Sequence, residues 1–355
     1  MQTTITKLLS QVLYPNFEKD IVSYGFVKEI KLDGGVEVVV AIPSSDPNVA
    51  KALYDRIDNV LQKANIQAVI TIKTPELQAE SKAAPQARNL LPQVKHFVMV
   101  SSGKGGVGKS SVATNLAIAL AMDGKKVGLL DADIYGPNIP RMFGLHGIKP
   151  KLDPSGKRLI PLQAYGVDLM SMGMLFDEGE SLIWRGPMLM RAITQMFSDV
   201  VWQDLDVLVL DMPPGTGDAQ LSIAQSVPVG AGVAVTTPQL VSLDDGARAL
   251  DMFKKLSIPI AGIVENMSSH ICANCGSEQD IFGKDTTLPL AQKYNTTILA
   301  KIPLDPAVRE GGDSGKPIVY FAPDSTIAKT YRKAAHDLWE FLENNRADNA
   351  SIQPR

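Results

Sequence analysis

Two short stretches of this chain hold residue types that act chemically as a set. The first is Gly103-Lys104-Gly105-Gly106-Val107-Gly108-Lys109-Ser110, which satisfies the pattern G-x-x-x-x-G-K-[ST]. Its glycines let backbone N–H groups turn inward around phosphate oxygens with no Cβ in the way. The start of the helix that follows adds partial positive charge. Lys109 then reaches the β- and γ-phosphates of a bound nucleotide, and the Ser110 hydroxyl ligates Mg²⁺. Ser111 continues the cradle. The second stretch is Cys272-Ala273-Asn274-Cys275, which contains both cysteines of the chain. So few cysteines give no disulfide framework, and a pair this close reads as a metal or redox site.

Two thiolates three positions apart can face one metal, yet a tetrahedral ion or a cubane cluster wants four ligands. His270 lies nearby but leaves the count short. A symmetric dimer supplies two cysteines from each chain around its two-fold axis. Three readings stay open on ligand chemistry: a bridging four-iron four-sulfur cluster, a bridging Zn²⁺ that suits the same thiolates, and a redox pair. The last lacks the usual aromatic approach to such a motif.

Carboxylates follow the phosphate loop in an order that fits it. Asp131 and Asp133 close the apolar stretch in LLDADIYGPN, and Asp211 closes DVLVLD, as a Walker B residue does. Gly215 in the following PPGTGD is placed for a switch that senses the γ-phosphate. A strand-end aspartate by itself is often only a helix N-cap. Three of them after strands in one P-loop chain form a set, with Asp131 and Asp211 assigned to the magnesium shell beside Ser110.

The elements that must position these groups are legible in outline. Residues 1–75 read as a small α-β-β-α-β unit. A helix over 5–13 precedes a hairpin of 27–32 and 36–42 turning at Asp33-Gly34-Gly35. Apolar residues at helical spacing over 48–64 give a second helix, and 67–72 a closing strand. Residues 76–93 are polar and Ala/Pro-containing, a linker. From residue 94 strands at 96–101, 126–131, 206–211, 232–236, 260–264 and 297–300 alternate with helices. That alternation predicts a parallel, doubly wound sheet across 94–345. A last amphipathic helix spans 323–345, and the polar residues 346–355 read as a flexible tail.

Bulk properties exclude several classes. The 355 residues carry a formal net charge of −3, so nothing draws the chain as a whole to nucleic acid or an anionic membrane. No apolar run approaches the roughly 18–20 residues of a spanning helix. The first residues, MQTTITKLLSQVLYP, have neither the apolar core of a signal peptide nor an Arg-rich transit character. A cytoplasmic protein binding neither nucleic acid nor membrane is expected.

Lys104, a second lysine inside the loop, makes the motif resemble the deviant Walker A of partition proteins, the septum-site protein MinD and nitrogenase iron protein. In that class the extra lysine reaches across a dimer to the partner's nucleotide, the second aspartate of a pair such as Asp131/Asp133 orients the attacking water, and an asparagine placed like Asn266 reads adenine. The set GKGGVGKSSVATNLAIALA, DADIYGPNIPRMFG, WRGPM, DMPPGTGDAQLSIAQ, VENMS and CANCG resembles more narrowly the Mrp/ApbC family of P-loop iron–sulfur cluster carrier ATPases.

That resemblance, over residues 5 to 345, implies a MinD-like P-loop fold with a small N-terminal α/β domain. It implies ATP bound by residues 103–111 and Asn266, with Lys104, Lys109 and Asp133 catalytic in a slow hydrolysis. It also implies a labile cluster on Cys272 and Cys275, shared across a homodimer and passed to apo-proteins. The 1–75 unit has no cysteine of its own, so a docking role suits it. The alternative is a MinD- or partition-type positioning ATPase, which needs a basic amphipathic C-terminal helix and leaves the CxxC unexplained. Nitrogenase iron protein spaces its cluster cysteines far apart. The methionines around Met170, Met172, Met174, Met188 and Met190 are ascribed to packing.

Overall fold

The computed structural model describes residues 2–15, 19–32, 35–42, 44, 47–73, 89–175, 186–272 and 274–351. The chain divides into two units, Met1–Pro85 and Gln86–Arg355. Most of the stretch expected as a linker, and Asp33, Gly34, Trp184 and Arg185 of the quoted motifs, lie outside the described residues.

In the first unit the elements follow as α1 (Gln2–Leu9), β1 (Val27–Lys31), β2 (Val36–Ala41), α2 (Pro47–Lys63) and β3 (Ala68–Lys73). Strand β2 pairs antiparallel with β1 and parallel with β3. Leu53, Ile57 and Leu61 recur every fourth residue along α2, which puts them on one helix face. That face packs with Ile5, Leu9, Val38 and Val40 in a single apolar core.

The second unit begins with β4 (Val94–Ser101), α3 (Lys109–Met122), β5 (Val127–Asp131), α4 (Ile139–Met142), β6 (Leu162–Ala164) and β7 (Val167–Ser171). It continues with α5 (Gly186–Ser198), β8 (Leu205–Asp211), α6 (Asp218–Ser226), β9 (Ala231–Thr236), α7 (Leu240–Lys255) and β10 (Ile260–Ile271). The remaining elements are β11 (Glu278–Gln279), α8 (Leu288–Lys293), β12 (Ile298–Leu304), α9 (Pro306–Ser314), α10 (Ile318–Phe321) and α11 (Thr326–Ser351).

The nine strands form one sheet in the order β11-β10-β9-β4-β8-β5-β7-β6, with β12 also on β10. All pairs are parallel except β6–β7 and β10–β11. Apolar cores lie on both faces, as a parallel sheet requires. Helix α3 is buried nearly all round because α11 packs over it. The order reverses beside β4, so the loop after β4 opens at a topological switch point.

Several boundaries differ from the sequence-based expectation. The first helix occupies Gln2–Leu9 rather than 5–13. Helix α11 runs to Ser351, past the expected boundary at 345. Strand β10 runs to Ile271, seven residues past the expected end at 264. Its second half, ENMSSH, is polar and looks like loop in sequence, but β11 supplies antiparallel partners for His270 and Ile271. Met170, Met172 and Met174 are buried in the core, as packing methionines are, while Met188 is exposed. Among the described residues no helix is long and apolar enough to cross a membrane.

Candidate functional site

The phosphate loop joins β4 to α3, with Gly108 in the left-handed region at φ 84°. A Cβ at Gly108 would also collide with the Asn266 amide, and one at Gly103 with the Asp245 carbonyl of α7. Glycine is therefore required at both positions on steric grounds alone. Lys104 is half-buried, and among the described residues its ammonium has no carboxylate partner.

The strand ends bring the predicted groups together around Lys109. Its ammonium lies 2.7 Å from Asp211 Oδ1 and 3.7 Å from Asp133 Oδ2. Ser110 Oγ donates to Asp211 Oδ2 at 2.6 Å. Asp211 is fully buried, and burial pushes its carboxyl up while Lys109 draws it back. Burial likewise raises Asp133, whose Oδ1 is buried with no hydrogen-bond partner.

Asp131 differs from its neighbours in how fully its oxygens are used. Oδ1 accepts from the Asp133 N–H at 3.1 Å, and Oδ2 accepts from the Ser171 hydroxyl at 2.9 Å and the Ile139 N–H at 3.4 Å. Burial first, and repulsion from Asp211 second, push its carboxyl up to about 8. These bonds fasten the turn after β5, which carries Asp133.

Gly215 has φ 96° and donates its N–H to the Ser102 carbonyl at 2.8 Å, which ties the segment after β8 to the phosphate loop. Gln220, to which sequence reasoning gave no role, clamps that segment. Its Oε1 accepts from the Gly217 N–H at 2.9 Å, and its Nε2 donates to the Pro213 and Gly215 carbonyls at 3.0 and 2.9 Å. The signal was present: a glutamine two residues past an aspartate that opens a helix is the back-reaching half of a capping box.

Asn266, on β10, donates Nδ2 to the Val107 carbonyl of the loop at 2.9 Å. Beside it opens a cavity of about 280 Å³, lined by Gly108, Ser111, Asn138, Arg141, Asn266 and Asp305. That is close to the lower end of small-ligand pockets, about 300 Å³. Asn138 and Arg141 also went unassigned from sequence.

Six residues beyond Asn266 the same strand reaches Cys272. The turn between β10 and β11 is closed by the Gly276 N–H donating to the Cys272 carbonyl at 2.8 Å and the Cys272 N–H to the Ser277 carbonyl at 2.9 Å. Cys272 is half-buried and Cys275 exposed. The Ser277 hydroxyl, 3.1 Å from Cys275 Sγ, and the Ser277 backbone lower the Cys275 thiol. His270 donates Nδ1 to the Leu304 carbonyl at 3.2 Å, anchoring the strand before the turn. Ala273 lies outside the described residues.

Comparison with known proteins bears on both halves of this arrangement. Residues 93–339 match the family described as NUBPL iron-transfer P-loop NTPase, of the ParA group. An iron–sulfur cluster carrier protein of Helicobacter pylori is 57% identical, with 99% of this chain and 97% of that one covered. The protein of the same name from Deinococcus radiodurans is 42% identical over 95% of each. Among solved structures, the nucleotide-binding protein of Archaeoglobus fulgidus in complex with ADP is 36% identical at TM-score 0.56, covering 63% of this chain and 88% of that one. The cell division ATPase MinD of Pyrococcus furiosus shares the fold at TM-score 0.52, covering 69% of this chain and 98% of that one. With its phosphate loop, its MinD/ParA-like parallel sheet and these relatives spanning nearly its whole length, the chain belongs to the iron–sulfur cluster carrier family of P-loop NTPases.

Proposed function

We propose that two copies of this chain hold one four-iron four-sulfur cluster between their cysteine turns and deliver it to apo-proteins, with slow ATP hydrolysis coupled to loading or release. The observation that carries this reading is the cysteine turn itself. It offers two thiols on an exposed hairpin, half of the four thiolates a cubane needs. Large apolar side chains stand exposed just past β11, Ile281 at 52%, and at the start of α7, Leu240 at 73% and Val241 at 69%. Thr286, just past the hairpin, is bonded through its hydroxyl to the Pro238 carbonyl before α7, which keeps these segments together. A second copy covering them accounts for the exposure.

In this reading residues 103–111 cradle the phosphates of ATP, and Asn266 faces the base. Ser110 and Asp211 fit Mg²⁺, since their oxygens converge at 2.6 Å, and that ion would neutralise phosphate charge. Asp131 holds the turn beneath them, at the edge of the same shell. Asp133, with one buried oxygen uncommitted, orients the attacking water. Lys104 supplies charge to the partner's nucleotide, and Gly215 senses the γ-phosphate. A positioning ATPase is disfavoured because the apolar stripe of α11, with Ile327, Tyr331, Leu338 and Leu342, is buried in the core.

Anaerobic reconstitution with iron and sulfide, followed by gel filtration and iron counting, tests the proposal. Cluster content saturates at about one per two chains. Cys272→Ser or Cys275→Ser each removes it, while both variants fold and bind ATP. A monomer carrying a whole cluster contradicts the bridge, and uptake of zinc alone favours a structural metal.

A further inference from the structure

Strand β10 carries the residue that touches the phosphate loop and leads directly into the turn that holds the cysteines. Asn266 is 7% exposed and bonded to the Val107 carbonyl at 2.9 Å, and Gly108 leaves no room for a Cβ against its amide. Asn266 and the loop therefore move as one body. Its Oδ1 has no hydrogen-bond partner among the described residues, and the side chain lines the cavity beside the loop.

Just past Asn266 the strand turns left-handed at Met267, with φ 54°. The pairing with β12 changes register there. Asn266 pairs with Ile302 and His270 with Leu304, so β10 takes four steps where β12 takes two. A bulge of this kind re-aims the strand beyond it, and a left-handed residue that is not glycine or asparagine is strained. Beyond the bulge the hairpin is again well held. Ser269 Oγ donates to Glu278 Oε1 at 2.6 Å, and His270 is anchored to Leu304. The turn that presents Cys272 and Cys275 is thus a stiff lever on a bent joint, and the short arm of that joint is Asn266.

We propose that Asn266 is a positioning residue for the cysteine turn: a nucleotide in the cavity engages its free amide oxygen, shifts the start of the bulge, and re-aims Cys272 and Cys275. This deepens the carrier reading and rests on it. Two packed elements with a defined joint between them are the physical requirement for such coupling. The ligand's leverage is its differential interaction with Asn266 before and after the proposed shift of the bulge.

The test uses the full chain free of metal, so that it does not depend on cluster binding. Thiol-labelling rates at Cys272 and Cys275 are measured with no nucleotide and with saturating ADP or Mg²⁺-ATP. Saturation is set separately for each variant by a binding titration. The expected result is a rate ratio of about fivefold, at the low end of ordinary coupling between sites. In Asn266→Ala the ratio falls toward one at saturation, although more nucleotide is needed to reach it. Met267→Gly, which relieves the strain at the joint, lowers the ratio with little change in affinity. A ratio of one in the unsubstituted chain with nucleotide bound overturns the proposal. So does a ratio in Asn266→Ala equal to that of the unsubstituted chain, since the protection would then come from dimerisation alone. Failure of nucleotide to bind overturns the carrier reading instead.

Discussion

Lys109 and Asp211 form an ion pair of 2.7 Å between the start of α3 and the end of β8, with the lysine 6% and the aspartate 0% exposed. A phosphate entering the loop competes with Asp211 and Asp133 for that ammonium. In the proposed ATP site the lysine is thereby held where the β- and γ-phosphates arrive, with little side-chain freedom left to lose.

Lys109→Ala abolishes ATP binding, because no other described ammonium lies among these carboxylates. Lys104→Ala spares binding and slows hydrolysis, as the proposed role of its charge at the partner's nucleotide requires. Isothermal titration and phosphate-release assays separate the two. Unchanged turnover in Lys104→Ala refutes the role given to that lysine.

Asp133→Asn leaves ATP affinity nearly intact and lowers turnover on the order of 10²-fold, the usual scale for a positioned acid–base group. The buried, uncommitted Oδ1 is the structural ground for this. A collapse of affinity instead reassigns Asp133 to the magnesium shell.

The raised carboxyl of Asp131 sets a direction for stability against pH. Its folded value near 8 stands above the ordinary 3.8. Across that window the folded chain keeps a proton that the unfolded chain has released, so stability falls as pH rises and levels off above it. The thermal midpoint of the metal-free protein drops from pH about 5.5 to about 8.5, and the drop is smaller in Asp131→Asn. An equal drop in both shows that Asp131 is ionised in the fold.

Gln220→Ala removes the partner of the Gly217 N–H and of two carbonyls, of which that of Pro213 is buried. The cost is about 1–3 kcal/mol for groups left unsatisfied. Turnover falls as well, because Gly215 loses its tether on one side. Thermal denaturation and hydrolysis rates report both, and a variant with full turnover removes Gln220 from the switch.

Sequence made the phosphate loop legible because its constraint is local: eight residues fix both the backbone turn and the charge. Asp211 was legible for a related reason, an aspartate ending an apolar strand in the order such a loop requires. The alternation of strands and helices likewise foretold the parallel sheet, since buried strands read as continuous apolar runs. What depends on strand order was hidden. The contact of Asn266 with Val107 joins residues 159 apart in the chain, and nothing near either position announces it. The extension of β10 was hidden because its partner is the two-residue β11, too short to leave a pattern. Gln220 was missed although its place in the first turn of α6 signals a capping contact, because its bonds to the Pro213 and Gly215 carbonyls join it to backbone atoms outside that pattern.

The surface position of the cysteine hairpin sets a kinetic character for whatever it carries. Residues 274 to 280 are all exposed in the single chain, so in the carrier reading whatever flank of the turn a second copy leaves uncovered admits a thiolate of an incoming protein without any part of the fold opening first. On that reading ligand exchange proceeds by substitution at an open flank, and hand-over is limited by encounter and not by unfolding of the donor. The same openness admits dioxygen. As the proposed carrier, a chain built this way trades shelf life for delivery, and a cluster bound to it is safe only as long as a recipient is near.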